Sequence, residues 1–398
     1  MSHSRKRYII EFFFKKLAFS RVVTIQGCRQ SGKSYLAKNL LLELLPECLY
    51  LTFDQKSLKT FAQDNPESFL SKYKDSSPLI IDEAQKVPDI FDAIKFEVDQ
   101  NSQPGQYVLL GSTEFSKLLK IRESLTGRMS RVRLFPLTLA ECLELEPNFS
   151  KNSAHFLNPK PKVNRTQLLR HFDKGGFPGL FAVRDQASRN EFFQDWINLT
   201  IERDLTQFPG VAVDTELASE ILKRIPLLPE PSATQIAKAL KQDTRKVQKI
   251  LLLLETLFIL HKLSPFREGT GKPLYFLCDV GLATYLGADF ERQLWTWLLQ
   301  EQLAQRHFST DIGSKLYYFR SPKGKFIHLI VENIKKKELS AMKLISSEKT
   351  DLRELEILKS LKNRVKGQYS SLHLITLGPM PRGKWNDSVE GYPWESVI

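Results

Sequence analysis

Cysteine is scarce in this chain: Cys28, Cys48, Cys142 and Cys278 are the only four in 398 residues. They stand singly, with no pair at metal-ligand spacing and no clustered set that would build a disulfide framework. A zinc-ribbon module and a disulfide-stapled secreted fold are thereby excluded, and a cytoplasmic location is expected. Long hydrophobic runs are missing too. No stretch reaches the length that spans a bilayer, so no membrane partner is expected. Tyr8–Phe19, behind a basic start, imitates a secretory leader, but Glu11, Lys15 and Lys16 interrupt it and no small-residue cleavage site follows. It reads as an amphipathic helix packing onto the domain behind it. Acidic residues fall short of basic ones, 45 against 58, for a net charge of +13 and a pI near 9.4. That excess favours a polyanionic partner, nucleic acid above all, although a merely basic globular protein has the same balance. The length suits two or three domains, and 42% apolar residues is an ordinary globular content.

The densest signal lies near the N-terminus. Gly27, Cys28, Arg29, Gln30, Ser31, Gly32, Lys33 and Ser34 read G-x-x-x-x-G-K-S, the spacing of a phosphate-binding loop. The glycines let successive N–H groups turn toward phosphate oxygens. Lys33 supplies a cation for the outer phosphates and Ser34 a hydroxyl for Mg²⁺, while the helix that follows adds its positive N-terminal end. The flanks fit: Arg21–Ile25 is a β-branched strand entering the loop, and Tyr35–Leu45 a helical pattern leaving it. The alternative is a chance glycine-rich turn. Further on, Pro78–Ile81 is a continuous apolar run of the kind buried in a parallel sheet, ending in Asp82 and Glu83. Asp82 is placed to hold Mg²⁺ through water, and Glu83 to deprotonate an attacking water. Alone, such a pair equally marks an acidic helix start.

More strands follow the pattern. Leu49–Phe53 precedes a helix read over Phe61–Lys74, and Ile90–Val98 carries a helical apolar stripe. Tyr107–Leu110 is a strand whose tip bears Ser112, either a contact to the γ-phosphate or an ordinary turn residue. Glu123–Arg128 leads into the strand Arg131–Phe135. From pattern alone Arg128 reads as a surface arginine in a basic stretch rather than as a group that stabilises transition-state charge.

Several strings together resemble the AAA-type ATPases of bacteria and archaea whose C-terminal half is a domain of unassigned function. They are GCRQSGKS, IIDEAQKVPDIFDAIKFEVD over Ile80–Asp99, LLGST over Leu109–Thr113, and ESLTGR followed by RLFPLTLAE. Gly175–Gly179, Ile201–Asp204 and Tyr275–Leu282 extend the likeness into the second half. The resemblance implies ATP and Mg²⁺ as ligands, with Lys33, Ser34, Asp82 and Glu83 as their site. It also implies Ser112 as a polar sensor and Arg128 as an arginine finger acting within the chain or between copies of a homo-oligomer. Cys28 departs from the proline that relatives usually carry there. The loop is expected to tolerate it, because that position offers only its backbone.

Asn148–Val163, rich in Asn, Ser, Pro and Lys, reads as a linker. Ser232–Leu240, a turn at Lys241–Asp243 and a helix over Thr244–Leu260 have helix-turn-helix spacing. Phe258–Leu263 and Pro273–Leu277 around Gly269–Gly271 then read as a wing. Lys238, Lys241, Arg245, Lys246 and Lys249, against Asp243, make a cationic face suited to a DNA groove. The same module also serves elsewhere purely for domain packing.

The last third resembles the restriction-endonuclease fold: a helix over Leu294–Gln305, then strands over Leu316–Arg320, Phe326–Val331 and Leu339–Ile345. The acids of that fold are gone. His328 and Ala341 occupy the two acidic places; Lys343 remains, and Glu301 is the helix acid. His328 is a poor Mg²⁺ ligand and Ala341 none, with Glu332 the nearest other carboxylate. Nuclease activity is not expected. Lys315–Lys366 nonetheless holds 14 Lys or Arg against 6 Asp or Glu. The tail after Gly378 is expected to be partly mobile.

The expected fold class is therefore α/β: a P-loop parallel-sheet ATPase domain over 1–147, a helical and winged-helix region over 164–290, and a degenerate nuclease-like α/β domain over 291–398. The expected function is ATP hydrolysis coupled to DNA binding. The alternative is a nucleotide-sensing switch for a protein partner with little turnover and no nucleic-acid role. A small-molecule kinase fits less well, since nothing after Glu83 reads as an acceptor site or lid.

Overall fold

Buried β-branched runs set up the first sheet. The computed structural model describes residues 5–117, 127–146, 157–158, 160, 162–208, 212–309, 313–347, 355–379, 383–386 and 389–398. These divide into two units: Arg7–Pro136 with Thr256–Ile259, and Leu137–Glu255 with Leu260–Ile398 and the first residues of the chain. Most of the expected linker, and Glu123–Thr126 ahead of Arg128, lie outside the described residues.

The first unit begins with α1 (Ile9–Leu17), which buries Ile9, Phe12, Phe13 and Leu17. Its sheet comprises β1 (Val22–Gln26), β2 (Leu49–Thr52), β3 (Leu79–Asp82), β4 (Tyr107–Gly111) and β5 (Met129–Arg133), in the order β2-β3-β4-β1-β5. Every pairing is parallel. β1, β3 and β4 are buried along their whole length, as strands covered on both faces must be. The register aligns Gln26 with Gly111 and Thr52 with Asp82, so the strand tips gather at one edge. From β1, α2 (Lys33–Leu36) runs on through a π-helical segment, Ala37–Leu41, into α3 (Leu42–Leu44). The single helix expected over Phe61–Lys74 is instead two, α4 (Lys56–Asp64) and α5 (Pro66–Lys72). Pro66 lacks an N–H and so starts a helix better than it continues one, and Asn65 caps the new start by accepting from the Ser68 N–H at 2.8 Å. α6 (Ile90–Gln100) completes this side, where Phe53, Phe69, Phe91 and Phe115 fill the core.

The second unit is helical first. α7 (Leu139–Cys142), α8 (Arg165–Lys174), α9 (Gln186–Leu199), α10 (Thr215–Arg224), α11 (Ala233–Leu240) and α12 (Thr244–Thr256) precede the hairpin of β6 (Leu260–Pro265) and β7 (Leu274–Leu277). α13 (Val280–Tyr285) and α14 (Phe290–Phe308) follow. Then come β8 (Ser314–Arg320), β9 (Phe326–Asn333), β10 (Glu338–Leu344), α15 (Glu356–Arg364), β11 (Ser371–Gly378), β12 (Gly383–Asn386) and β13 (Val389–Pro393).

The hairpin does not stand apart as a wing. It is one end of an eight-stranded sheet ordered β12-β13-β11-β10-β9-β8-β6-β7. β6 pairs with β8 through Ser264↔Tyr317 and Pro265↔Tyr318. Its turn is packed so closely that a Cβ on Gly271 would lie 2.2 Å from the Tyr318 hydroxyl oxygen. Nor are the described residues of the tail loose. Among the described residues after Gly378, β13 pairs with β11, and Tyr392, Trp394 and Val397 are buried. Trp394 donates its indole N–H to the Ile345 carbonyl at 3.2 Å. Gly383, Gly391 and Pro393 lie within β12 and β13 rather than in loose chain.

The landmark glycines of the second half are structural. Gly175 has φ +69°, and a Cβ there would lie 2.1 Å from Asp279 Oδ1; one on Gly176 would meet the Leu137 carbonyl at 2.1 Å. Buried Asp279 accepts from the Gly176 N–H at 2.6 Å and caps α13 through the Leu282 N–H at 3.0 Å.

Candidate active site

The loop between β1 and α2 has the shape its residues require. A Cβ on Gly27 would fall 2.1 Å from the Leu134 carbonyl oxygen, and Gly32 has φ +97°. Gly32 is the N-cap of α2 and no side chain caps it, so the first N–H groups of the helix face the loop. Arg29 and Gln30 are more exposed, while Ser31 is fully buried with its Oγ unpartnered. Arg7 straps the loop from beneath, donating to the Ser31 carbonyl at 3.0 Å and the Phe135 carbonyl at 2.7 Å. Lys33 turns its ammonium inward, donating to the Gly27 and Cys28 carbonyls at 2.9 Å each. Burial pulls its pKa below the ordinary lysine value, against the opposing charges of Cys28, Glu83 and Asp82. Cys28 thus contributes its carbonyl, and its side chain is buried.

The tip of β3 completes the arrangement. Asp82 Oδ2 accepts from the Ser34 hydroxyl and the Tyr50 hydroxyl, both at 2.6 Å, and Oδ1 accepts from the Glu83 N–H at 2.9 Å. Tyr50 reaches it because side chains alternate along a strand: Thr52 pairs with Asp82, so Tyr50 shares that face. Burial and the Asp82 carboxylate hold the Tyr50 phenol well above its usual pKa. Glu83 sits at φ +56°, a left-handed conformation that a non-glycine residue adopts at a cost and that recurs at functional sites. Burial raises the pKa of its carboxyl, with Lys33 pulling the other way. Gln85 bridges the acid and the sensor: its Nε2 donates to Glu83 Oε2 at 2.5 Å and lies 3.4 Å from Ser112 Oγ. A Cβ on Gly111 would approach Gln85 Oε1 to 2.7 Å, so the glycine makes room for the bridge.

Ser34 and Asp82 offer a hard cation two oxygen ligands and leave most of its shell open, as Mg²⁺ at nucleotide phosphates requires. Among the described residues no group of three or more His, Cys, Asp or Glu could cage a metal. The donor set therefore fits Mg²⁺ brought with a triphosphate.

Three residues of this site, Arg7, Tyr50 and Gln85, escape sequence reasoning. Gln85 had a faint signal, lying two residues after Glu83. Arg128, by contrast, is not brought to the loop. It precedes Met129, which pairs with Val22 at the start of β1. The loop leaves the other end of that strand, about 13 Å away at strand rise. There Arg128 clasps Asp99 through Nε at 2.6 Å and Nη2 at 2.8 Å.

Lys238, Lys241, Arg245, Lys246 and Lys249 are all exposed on α11, α12 and the turn between them. Asp243 starts α12 by accepting from the Arg245 and Lys246 N–H groups at 2.9 and 3.1 Å. On β10 Ala341 is buried in the core. Glu332 is tied to Arg267 at 2.7 Å and Tyr369 at 2.5 Å. Glu301 is wholly buried, accepting from the Leu139 N–H at 2.7 Å and the Trp297 indole at 3.2 Å. The acid beside His328 is Glu291, at 3.4 Å, ten residues and about 15 Å earlier on the same helix.

This geometry is that of a parallel-sheet α/β domain of P-loop type, and residues 19–143 match the family model described as an AAA domain, which suggests nucleotide binding. Residues 165–293 match a model described as a domain of unknown function. The chain is also similar to uncharacterized proteins of Mycobacterium bovis and Mycobacterium tuberculosis. Each is 26% identical over 331 residues, covering 78% of this chain and 67% of the relative.

Proposed function

We propose that the chain binds Mg²⁺-ATP at the Gly27–Ser34 loop and hydrolyses it. The observation that carries this is the gathering of Ser34, Asp82, Glu83, Gln85 and Ser112 around the loop at the strand tips. Bound Mg²⁺ would neutralise phosphate charge and align the leaving group; Ser34 and Asp82 would hold it. The loop N–H groups and Lys33 bind the phosphates. Glu83 takes the proton of the attacking water, Gln85 fixes its carboxylate, and Ser112 orients the water. Arg128 serves a neighbouring copy's site in a homo-oligomer.

We propose further that the nucleotide state governs DNA binding by a winged-helix module, through Lys238, Lys241, Arg245, Lys246 and Lys249. The ATPase module covers 1–147, and the part beyond it, expected as 164–290 and 291–398, acts as one piece that does not cut DNA. Location is cytoplasmic; no helix among the described residues is long and apolar enough to cross a membrane. One observation favours a protein-partner switch instead: the hairpin turn is packed on Tyr318 rather than presented as a wing.

ATP turnover measured with and without single- and double-stranded DNA tests both readings. The expected result is turnover that Glu83→Gln slows by about 10²–10⁴-fold and that DNA stimulates. Reversal of Arg245, Lys246 and Lys249 to Glu should remove the stimulation and flatten the salt dependence of binding. Wild-type turnover in Glu83→Gln excludes it as the base; turnover indifferent to DNA favours the switch.

A further inference from the structure

A cavity of about 320 Å³ opens in the second unit, its wall including Glu291, Lys325, Phe326, His328, Lys343 and Ser346. Nothing in the proposed hydrolysis uses it. His328 is buried on β9, and its Nδ1 accepts from the Leu344 N–H at 3.0 Å. That bond places the ring proton of a neutral imidazole on Nε2, which faces Glu291 Oε1 at 3.4 Å. Lys343 acts electrostatically on both His328 and Glu291. Lys325 enters from the turn after β8, where its N–H donates to Ser321 Oγ at 3.1 Å.

The wall therefore offers two ammonium groups, an imidazole N–H and the Ser346 hydroxyl. Among the lining residues the one carboxylate is Glu291, whose side chain is 59% exposed and has solvent to turn into. Outside the wall, Glu356 lies 3.6 Å from the Lys325 ammonium, a surface pair in which both side chains are about half exposed or more and which a phosphate can displace. Two lysines repel a metal ion but suit an oxyanion, which gains charge-assisted hydrogen bonds from each. Phe326 adds an apolar face, held edge-on by Trp295 at 5.9 Å between ring centroids, of the kind on which a base stacks. The volume is at the lower end for ligand sites, enough for one nucleotide and far too small for a duplex.

We propose that this cavity binds a single nucleoside phosphate, with Lys325 and Lys343 on the phosphate and Phe326 against the base. The phosphate belongs either to a free mononucleotide or to the 5′ end of a strand. The site is independent of the phosphate-binding loop. It is tested on the full chain carrying Lys33→Ala, which removes the loop's lysine.

The probes are AMP, a 5′-phosphorylated trithymidylate and its 5′-hydroxyl counterpart, titrated calorimetrically. The phosphorylated probe should bind, and the 5′-hydroxyl form about tenfold more weakly or worse. Adding Lys343→Gln should weaken phosphate-dependent binding by a similar factor, whereas Glu291→Gln should tighten it. Opposite signs at two wall residues are not the mark of a folding defect. AMP binding as tightly as the phosphorylated strand identifies free nucleotide as the ligand; binding of the strand alone identifies a 5′ end. The proposal is overturned by any of three results: neither phosphorylated probe binds, the 5′-hydroxyl strand binds equally well, or Lys343→Gln leaves affinity unchanged.

Discussion

Gln85 stands between Glu83, the proposed base, and Ser112, proposed to orient the water. Its Nε2 donates to Glu83 and also approaches Ser112. Burial already raises the Glu83 pKa. Only the ionised carboxylate accepts a proton from water, so turnover must fall as pH drops through that raised value, earlier than for an ordinary glutamate. A donor to the carboxylate favours its ionised form. Gln85→Ala is therefore expected to move the acid limb of the kcat–pH profile to higher pH and to lower kcat about tenfold near neutrality, with KM little changed. An unmoved limb would assign Gln85 to packing. The loop and the Asp82–Glu83 pair were legible because their chemistry is written at fixed local spacing. Tyr50 and Arg7 were not, because each meets the site only through the strand order and the packing of α1's leading residues.

α14 shows how far a sequence reading carries at the level of an element. The helix was legible, and it does carry an acid toward His328. Which acid was not legible, since the choice depends on helix rotation against a sheet whose position the sequence does not state. Glu301 instead lies in the core, where burial pushes its pKa up to about 8, with Glu141 adding to the rise. Between the ordinary glutamate value and about 8, the folded chain keeps this proton and the unfolded chain does not. The stabilisation is whole below that window and is lost as pH rises through it. Glu301→Gln keeps an acceptor for the Leu139 N–H and removes the titration. Denaturant midpoints between pH 5 and 8 should then decline less steeply than in the parent chain. An equal decline would mean that another group carries the dependence.

At the level of the whole molecule, the first sheet separates Arg128 from its own phosphate loop by the length of β1, while Asp99 keeps the guanidinium occupied. The finger role proposed for Arg128 therefore requires another copy. Chains carrying Arg128→Ala and chains carrying Lys33→Ala should each turn over poorly alone and partly recover when mixed, because one interface then pairs an intact Arg128 with an intact loop. No recovery at any mixing ratio would remove Arg128 from the chemistry.

The eight-stranded sheet bears on what can be cut and exchanged. β6 precedes the expected division at 290 and β8 follows it, yet the two strands are neighbours. Phe266 donates its N–H to the Tyr318 carbonyl at 2.7 Å, and Thr270 donates to the Arg320 carbonyl at 2.9 Å. A fragment ending at 290 would present the bare edge of β6, with Phe266 and Gly271 stripped of cover, and bare edges recruit other chains. Such a fragment should scatter light and elute in the void volume at concentrations where the full chain does not; a well-behaved fragment would show that β8 is dispensable. The second half of this protein is thus one heritable piece: recombination can move it between proteins whole, but not in two.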